Sequence, residues 1–179
     1  MKTILWILPI SLFAFLFLML AKGLSLDPRL LPSTRVGQPL PEFNLPRLSA
    51  ENETVSTQAL LGHPFLLNVW ASWCQACVEE QNLLLELSKT GVPIVGLNYK
   101  DKPQDARAWL SEWCDPYQLI MQDLQGRVAI DLGVYGAPET FVVDQQGKIR
   151  YRHVGVLDAQ AWEKTIQPLL GQLQQEERG

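Results

Sequence analysis

Residues 64–71 (PFLLNVWA) form an unbroken run of strand length that is almost wholly apolar. A strand of that kind belongs at the centre of a sheet, buried on both faces. From Cys74 to Thr90 the spacing changes to a helical one, with Val78, Leu84, Leu85 and Leu87 apolar and Gly91 ending the pattern. Residues 93–99 (PIVGLNY) then predict a second buried strand. Strand, helix and strand in this order require parallel pairing and a right-handed crossover. Pro103 to Trp113 reads as a helix with proline in its first turn and Pro116 past its end. Residues 118–124 predict a strand and 126–132 a short helical turn. Residues 140–144 and 148–154 flank Gln145-Gln146-Gly147, a hairpin signal, and Asp158 caps a last amphipathic helix from Ala159 to about Gln174. Phe43 and Leu45, between Pro41 and Pro46, predict a short edge strand, because proline is confined to sheet edges. With no internal repeat, these elements make a small α/β domain: a mixed β-sheet flanked by helices.

Ahead of this domain the composition is different. Residues 4–21 (ILWILPISLFAFLFLMLA) hold 16 apolar residues out of 18 and no charge. As a helix they would reach ~27 Å at ~1.5 Å per residue, close to the ~30 Å of a bilayer's hydrocarbon core. A cleaved secretory signal has a shorter apolar region, ~7–15 residues, and ends in a small-x-small site. The only candidate site, Ala21-Lys22-Gly23, carries a charge at its centre. The expectation is therefore one uncleaved N-terminal transmembrane helix, with a long cleaved signal peptide as the alternative. The expected organisation is an anchor over 1–22, a linker over 23–36 and a folded domain over 37–179. Lys2 and Lys22 flank the apolar block, so residues 23–179 carry 13 basic and 19 acidic residues, a balance of −6. An acidic body without a Lys/Arg cluster has no electrostatic footprint for nucleic acid. Three cysteines are too few for a disulfide scaffold.

Two of those cysteines lie where the buried strand turns into the helix, in Trp73-Cys74-Gln75-Ala76-Cys77. At a helix N-terminus, unpaired N–H groups and the macrodipole favour a thiolate, so Cys74 is the expected nucleophile. Cys77 is nearly one turn on and can close a disulfide with it. In that chemistry Cys74 attacks a partner disulfide and Cys77 resolves the mixed disulfide. A structural disulfide or half a zinc site are the other readings. Zinc would need two more ligands, and only Cys114, His63 and His153 are available, at no recognisable spacing. The expectation is no metal and no cofactor beyond the redox-active Cys74–Cys77 pair itself. No phosphate loop, Ser/His/Asp set or dinucleotide fingerprint occurs.

Together, LLNVWASWCQAC, VGLNYKD, DLGVYGAPETF and IRYRH resemble the thioredoxin superfamily. Within it they resemble the membrane-anchored thiol–disulfide interchange proteins of cytochrome c maturation, the DsbE type. The likeness runs over nearly the whole chain, and GVYGAPET is far more specific than a bare C-x-x-C. It implies a thioredoxin-like fold behind a single-pass inner-membrane anchor, with the domain in the periplasm. It also implies a protein disulfide reductase that takes electrons from a membrane thiol–disulfide carrier. The electrons pass to apocytochrome c, or to an intermediate thiol protein, so that haem can attach.

The resemblance also implies site residues. Pro138 is expected as the cis-proline facing the cysteine pair, leaving the Ala137 backbone to pair with an extended substrate peptide. Thioredoxins place a buried Asp on the strand before the cysteines; that position is Asn68 here, and Glu80 and Glu139 are expected to replace it as proton-handling groups. Glu79 is expected to be solvated and Trp70 to be core, with Trp73 and more weakly Tyr135 forming an apolar rim for a partner chain. Two departures are Gln75, where the family usually has proline, and Cys114, which a two-cysteine mechanism does not need. Cys114 is expected to be buried like a small apolar residue, a partner-linking thiol being the alternative. Two other functional classes fit part of the chain. One is a thiol peroxidase or general thiol oxidase: the GQPLPEF segment also occurs in peroxiredoxin-like proteins, though these place Thr, not Trp73-Cys74, around their peroxidatic cysteine. A non-catalytic module could hold apocytochrome on the apolar loop.

Overall fold

A computed structural model describes residues 2–24 and 35–178. The chain divides into two compact units, Met1–Pro32 and Ser33–Gly179. The first holds helix α1 (Lys2–Leu24), whose described side chains, residues 11–22, are all exposed. Among the described residues no helix is long and apolar enough to cross a membrane. Most of the linker expected over 23–36 lies outside the described residues.

The second unit is built on one seven-stranded sheet. Its strands are β1 (Asn44–Arg47), β2 (Ala50–Ser56), β3 (Phe65–Trp70), β4 (Ile94–Tyr99), β5 (Leu119–Asp123), β6 (Glu139–Val143) and β7 (Ile149–Val154). They lie in the order β2-β1-β5-β4-β3-β6-β7, with β3, β4 and β5 parallel at the centre and the other pairings antiparallel. Helices α2 (Gln75–Lys89) and α3 (Pro103–Trp113) make the two crossovers, and the short α4 (Arg127–Asp131) follows β5. This is a thioredoxin-like mixed α/β fold, as the sequence patterns and the resemblance imply.

The apolar run of β3 has its physical cause in the two cores. Leu66 and Trp70 point to one face, where they pack with Leu84, Leu87, Trp109, Ile166 and Leu170. Phe65, Leu67 and Val69 point to the other, against Leu97, Met121, Val128, Phe141 and Ile149. Since successive side chains alternate between faces, a strand buried on both is apolar at nearly every position, and its one polar residue, Asn68, is fully buried. At Gly96 on β4 a Cβ would lie 2.9 Å from Trp70 Nε1 and 3.1 Å from the Tyr117 ring. The glycine therefore makes room for the aromatic stack below the site.

Two expectations change, and one strand is new. The strand predicted around Phe43 and Leu45 forms over Asn44–Arg47, but it lies inside the sheet, between β2 and β5. Pro46 is tolerated there because β1 meets β5 only at Arg47↔Met121. The true edge is β2, whose sequence AENETVS is polar except for Ala50 and the buried Val55, and which therefore carries no clear periodic signal. Finally, the C-terminal helical stretch outruns Gln174. It passes from α5 (Ala159–Ala161) through a π-helical segment (Trp162–Ile166) into α6 (Gln167–Arg178). Its start is as expected, with the Asp158 carboxylate accepting from the Ala161 N–H at 2.7 Å.

Candidate active site

Strand β3 ends at Trp70, and four residues later Cys74 is the N-cap of α2. Asp101, just past β4, holds the turn between them. Its carboxylate accepts from the Ser72 N–H at 2.6 Å, the Ser72 hydroxyl at 2.7 Å, the Asn98 amide at 3.0 Å and the Lys102 N–H at 2.9 Å. This clamp ties the approach to the helix N-terminus onto the end of a central strand. Cys74 and Cys77 form a disulfide with Cα atoms 5.4 Å apart, and the Cys74 sulfur accepts from the Cys77 N–H at 3.1 Å. Both are buried, and both join the core cluster on the α2 face, where Ala76 and Ala137 also pack. When the pair is reduced, the helix N-terminus stabilises a thiolate at Cys74, the property an attacking sulfur needs.

Glu80, three residues beyond Cys77 on α2, is only 1% exposed. Its two oxygens are both used: Oε1 accepts from Asn68 Nδ2 at 2.8 Å and Oε2 from the Leu157 N–H at 2.7 Å. Burial outweighs these two bonds and pushes its pKa up from the usual 4.5 to about 7. A carboxyl poised there can take up or release a proton near neutral pH. Glu79 beside it is exposed.

Glu139 is equally buried but differently employed. Its Oε2 meets Arg152 Nε at 2.7 Å, and its Oε1 accepts from the Tyr135 N–H at 3.3 Å. Arg152 also donates to the Gly133 carbonyl at 2.9 Å and lies over the rings of Tyr135 (5.1 Å) and Phe141 (5.6 Å). In register, Asn68 pairs with Thr140 and Val69 with Glu139. Asn68 and Thr140 point toward α2, so Glu139 points to the opposite face of the sheet, with Phe141 and Arg152. The structure thus places Glu80 on the cysteine helix and ties Glu139 into the loop 133–139.

That loop carries a cis peptide bond between Ala137 and Pro138, at the start of β6. The Pro138 carbonyl accepts from the Gly155 N–H at 3.0 Å, and Ala137 is half-buried. Trp73 is 55% and Tyr135 63% exposed. The Trp73 indole donates to the Lys100 carbonyl at 3.1 Å, and its ring lies 6.2 Å from that of Tyr99, so this large apolar side chain is held outward in one orientation. Trp70, in contrast, is fully buried against Trp109 and Tyr117, as expected of a core residue.

Cys114 is exposed, which corrects the expectation of a buried thiol. It caps the C-terminus of α3 with φ +67°, and its carbonyl, not its sulfur, is drawn inward to accept from the Gln81 side chain. Among the described residues no group of three His, Cys, Asp or Glu side chains could hold a metal ion. Three residues that shape the site escaped the sequence reading: Asp101, Tyr117 and Arg152. The IRYRH motif had flagged the region of Arg152, and VGLNYKD that of Asp101, without singling out either residue.

The redoxin family profile matches residues 35–167. The thiol:disulfide interchange protein DsbE of Allochromatium vinosum is 44% identical over 169 residues, covering 94% of this chain and 93% of that protein. The DsbE of Escherichia coli (strain K12) is 47% identical over 144 residues, 80% of this chain and 78% of its own. Among solved structures, a putative DsbE from Chlorobium tepidum superposes with a TM-score of 0.61 at 28% identity, covering 76% of this chain and 98% of that one.

Proposed function

The chain belongs to the redoxin family, among the thioredoxin-like thiol:disulfide interchange proteins of the DsbE type, and from that premise we propose that this thiol–disulfide oxidoreductase works as a membrane-tethered reductant for cytochrome c maturation. The observation that carries the direction of electron flow is the buried Glu80, one helical turn beyond the resolving cysteine on the same helix. A carboxylate charge close to two sulfurs opposes thiolate formation. A reduced pair whose thiolate is less stabilised gives up its electrons more readily, the converse of strongly oxidising members whose reduced form is stabilised.

The reaction runs in two displacements. The Cys74 thiolate attacks one sulfur of the substrate disulfide, forming a mixed disulfide and releasing the other substrate sulfur as a thiolate that takes a proton. Cys77 then passes its proton to Glu80 and attacks the Cys74 sulfur. The second substrate sulfur leaves as a thiolate, the Cys74–Cys77 disulfide closes, and the proton held by Glu80 is released to the departing thiolate or to solvent. Two electrons have moved from the pair to the substrate, and a membrane thiol–disulfide carrier returns the pair to the dithiol. The substrate is apocytochrome c or a thiol protein that serves it, lying along the Ala137–Pro138 backbone by strand addition with Trp73 and Tyr135 as the apolar rim. Arg152 and Glu139 hold that loop in shape. The 16 apolar residues among 4–21 support a membrane anchor, and the disulfide chemistry of the Cys74–Cys77 pair favours an inner-membrane placement with the domain in the periplasm.

Cells lacking the chain should accumulate apocytochrome c without covalent haem. The wild-type chain should restore haem-stained cytochrome c and a Cys74→Ser chain should not. Normal haem attachment in the deletion strain would sink this reading.

A further inference from the structure

Asn68 lies fully buried between Glu80 and a tyrosine that the mechanism above does not use. Both N–H donors and the carbonyl of its amide group are engaged by neighbours. Nδ2 donates to Glu80 Oε1 at 2.8 Å and to Thr140 Oγ1 at 3.1 Å, while Oδ1 accepts from the Tyr117 hydroxyl at 2.7 Å. An ionised carboxylate only accepts, so it requires an N–H from Asn68. The Tyr117 hydroxyl donates to the buried Asn68 carbonyl, the part of the amide that an ionised Glu80 cannot pair, and so leaves both N–H groups for Glu80 and Thr140.

We propose that Tyr117 is a positioning residue for the exchange reaction: its hydroxyl holds the Asn68 amide in the orientation that presents N–H, not carbonyl, to Glu80. The inference rests on the reading of Glu80 as the proton acceptor for Cys77. The ring is fixed for this task. It stacks on Trp70 with centroids 5.5 Å apart and 15° between planes, in the space left by Gly96. Its backbone N–H is held by the Asp115 carboxylate at 2.8 Å. Burial first, then the charges of Glu80 and Asp115, raise the phenol pKa well above its usual value, so the hydroxyl keeps its proton throughout the working range.

Removing the hydroxyl frees the amide to turn over. Its carbonyl is then unpaired, and any turn that carries it toward Glu80 withdraws the N–H on which the carboxylate relies and leaves only the protonated acid able to pair. The titratable groups around Glu80 are Cys77 on its own helix, Tyr117 across β3, Asp115 behind Tyr117, and His153 of β7, which lies in register with Thr140 on the same face and bonds the Val156 carbonyl beside Leu157. Glu139 and Arg152 pair on the other face of the sheet.

The test is the titration of Glu80 in the oxidised protein, followed by carboxyl carbon NMR in wild type, Tyr117→Phe, Asn68→Ala and the double variant. Phenylalanine keeps the stacked ring. Tyr117→Phe should raise the Glu80 midpoint by roughly half a unit to one unit. In the Asn68→Ala background the same change should add nothing, because the effect passes through the amide. An unmoved midpoint in Tyr117→Phe, or an equal shift in both backgrounds, overturns the inference. If Tyr117→Phe does not fold, the wild-type protein decides. Its Tyr117 hydroxyl proton should exchange slowly enough to show a cross-peak to the Asn68 amide, and free exchange overturns the proposal. The pH profile of reduced protein reacting with glutathione disulfide separates the two layers. A Glu80 midpoint that moves while the rate profile stays still supports the positioning role and contradicts the proton-transfer role of Glu80.

Discussion

Replacing Cys74 by serine is expected to lower the rate of thiol–disulfide exchange by at least about a thousandfold, as losing the nucleophile does in other covalent mechanisms. The change is unusually clean at this position. Cys74 is the N-cap of α2 and accepts from the Cys77 N–H, a task at which serine is among the best residues. The helix start survives, so the loss reports chemistry and not unfolding. Cys77→Ser should behave differently: attack by Cys74 still proceeds, but resolution fails, and a mixed disulfide with the substrate accumulates. Non-reducing electrophoresis after mixing with an oxidised partner peptide reads both outcomes. If Cys74→Ser, and not Cys77→Ser, gave the trapped adduct, the roles would be reversed.

Glu80 should make the oxidised protein less stable as the solution becomes more alkaline. Unfolded, its carboxyl releases its proton near 4.5; folded, burial holds the proton up to about 7. Between those values the folded state binds more protons than the unfolded state, so stability is full below about pH 4.5 and is lost as pH rises through about 7. A displacement of that size corresponds to roughly 3 kcal/mol of stability across the window, at about 1.4 kcal/mol per unit. This slope runs opposite to that of an ion-paired carboxylate. Urea unfolding of the oxidised protein from pH 4 to 8 should show it, and Glu80→Gln should remove it. The same slope in both proteins would assign it to another group. The exchange rate of Glu80→Gln should fall in the same range, since glutamine cannot take the Cys77 proton. A buried acid that weakens the fold at neutral pH is the kind of site at which stability is exchanged for activity.

Much of the centre of the fold was legible because burial leaves an imprint on neighbouring residues. Apart from Asn68 the run Phe65–Trp70 is apolar because both of its faces are covered, and the step to helical spacing at Cys74 marks the junction where the chemistry sits. Glu80 could be found for a local reason, since three residues on a helix return to the side of Cys77. Strand β2 could not: it is an edge, and apart from Ala50 and the buried Val55 its side chains are polar. The contacts that refine the site are also silent in the sequence. Asp101 meets Ser72 across 29 residues, Tyr117 meets Asn68 across 49, and Arg152 reaches Glu139 only because β6 and β7 pair. Such partners are fixed by sheet order, and sheet order is not written in any local spacing. Cys114 illustrates the converse. Its place at a helix end was legible, but a positive φ turns its carbonyl inward and leaves the sulfur outside.

The most direct test of the central claim is the midpoint potential of the Cys74–Cys77 pair, read from the fraction of disulfide in graded glutathione or dithiothreitol buffers at pH 7. An acid-flanked pair that serves as a reductant should lie at about −200 mV or below. A midpoint near about −120 mV, where strongly oxidising members of this chemistry operate, would contradict the reductant account.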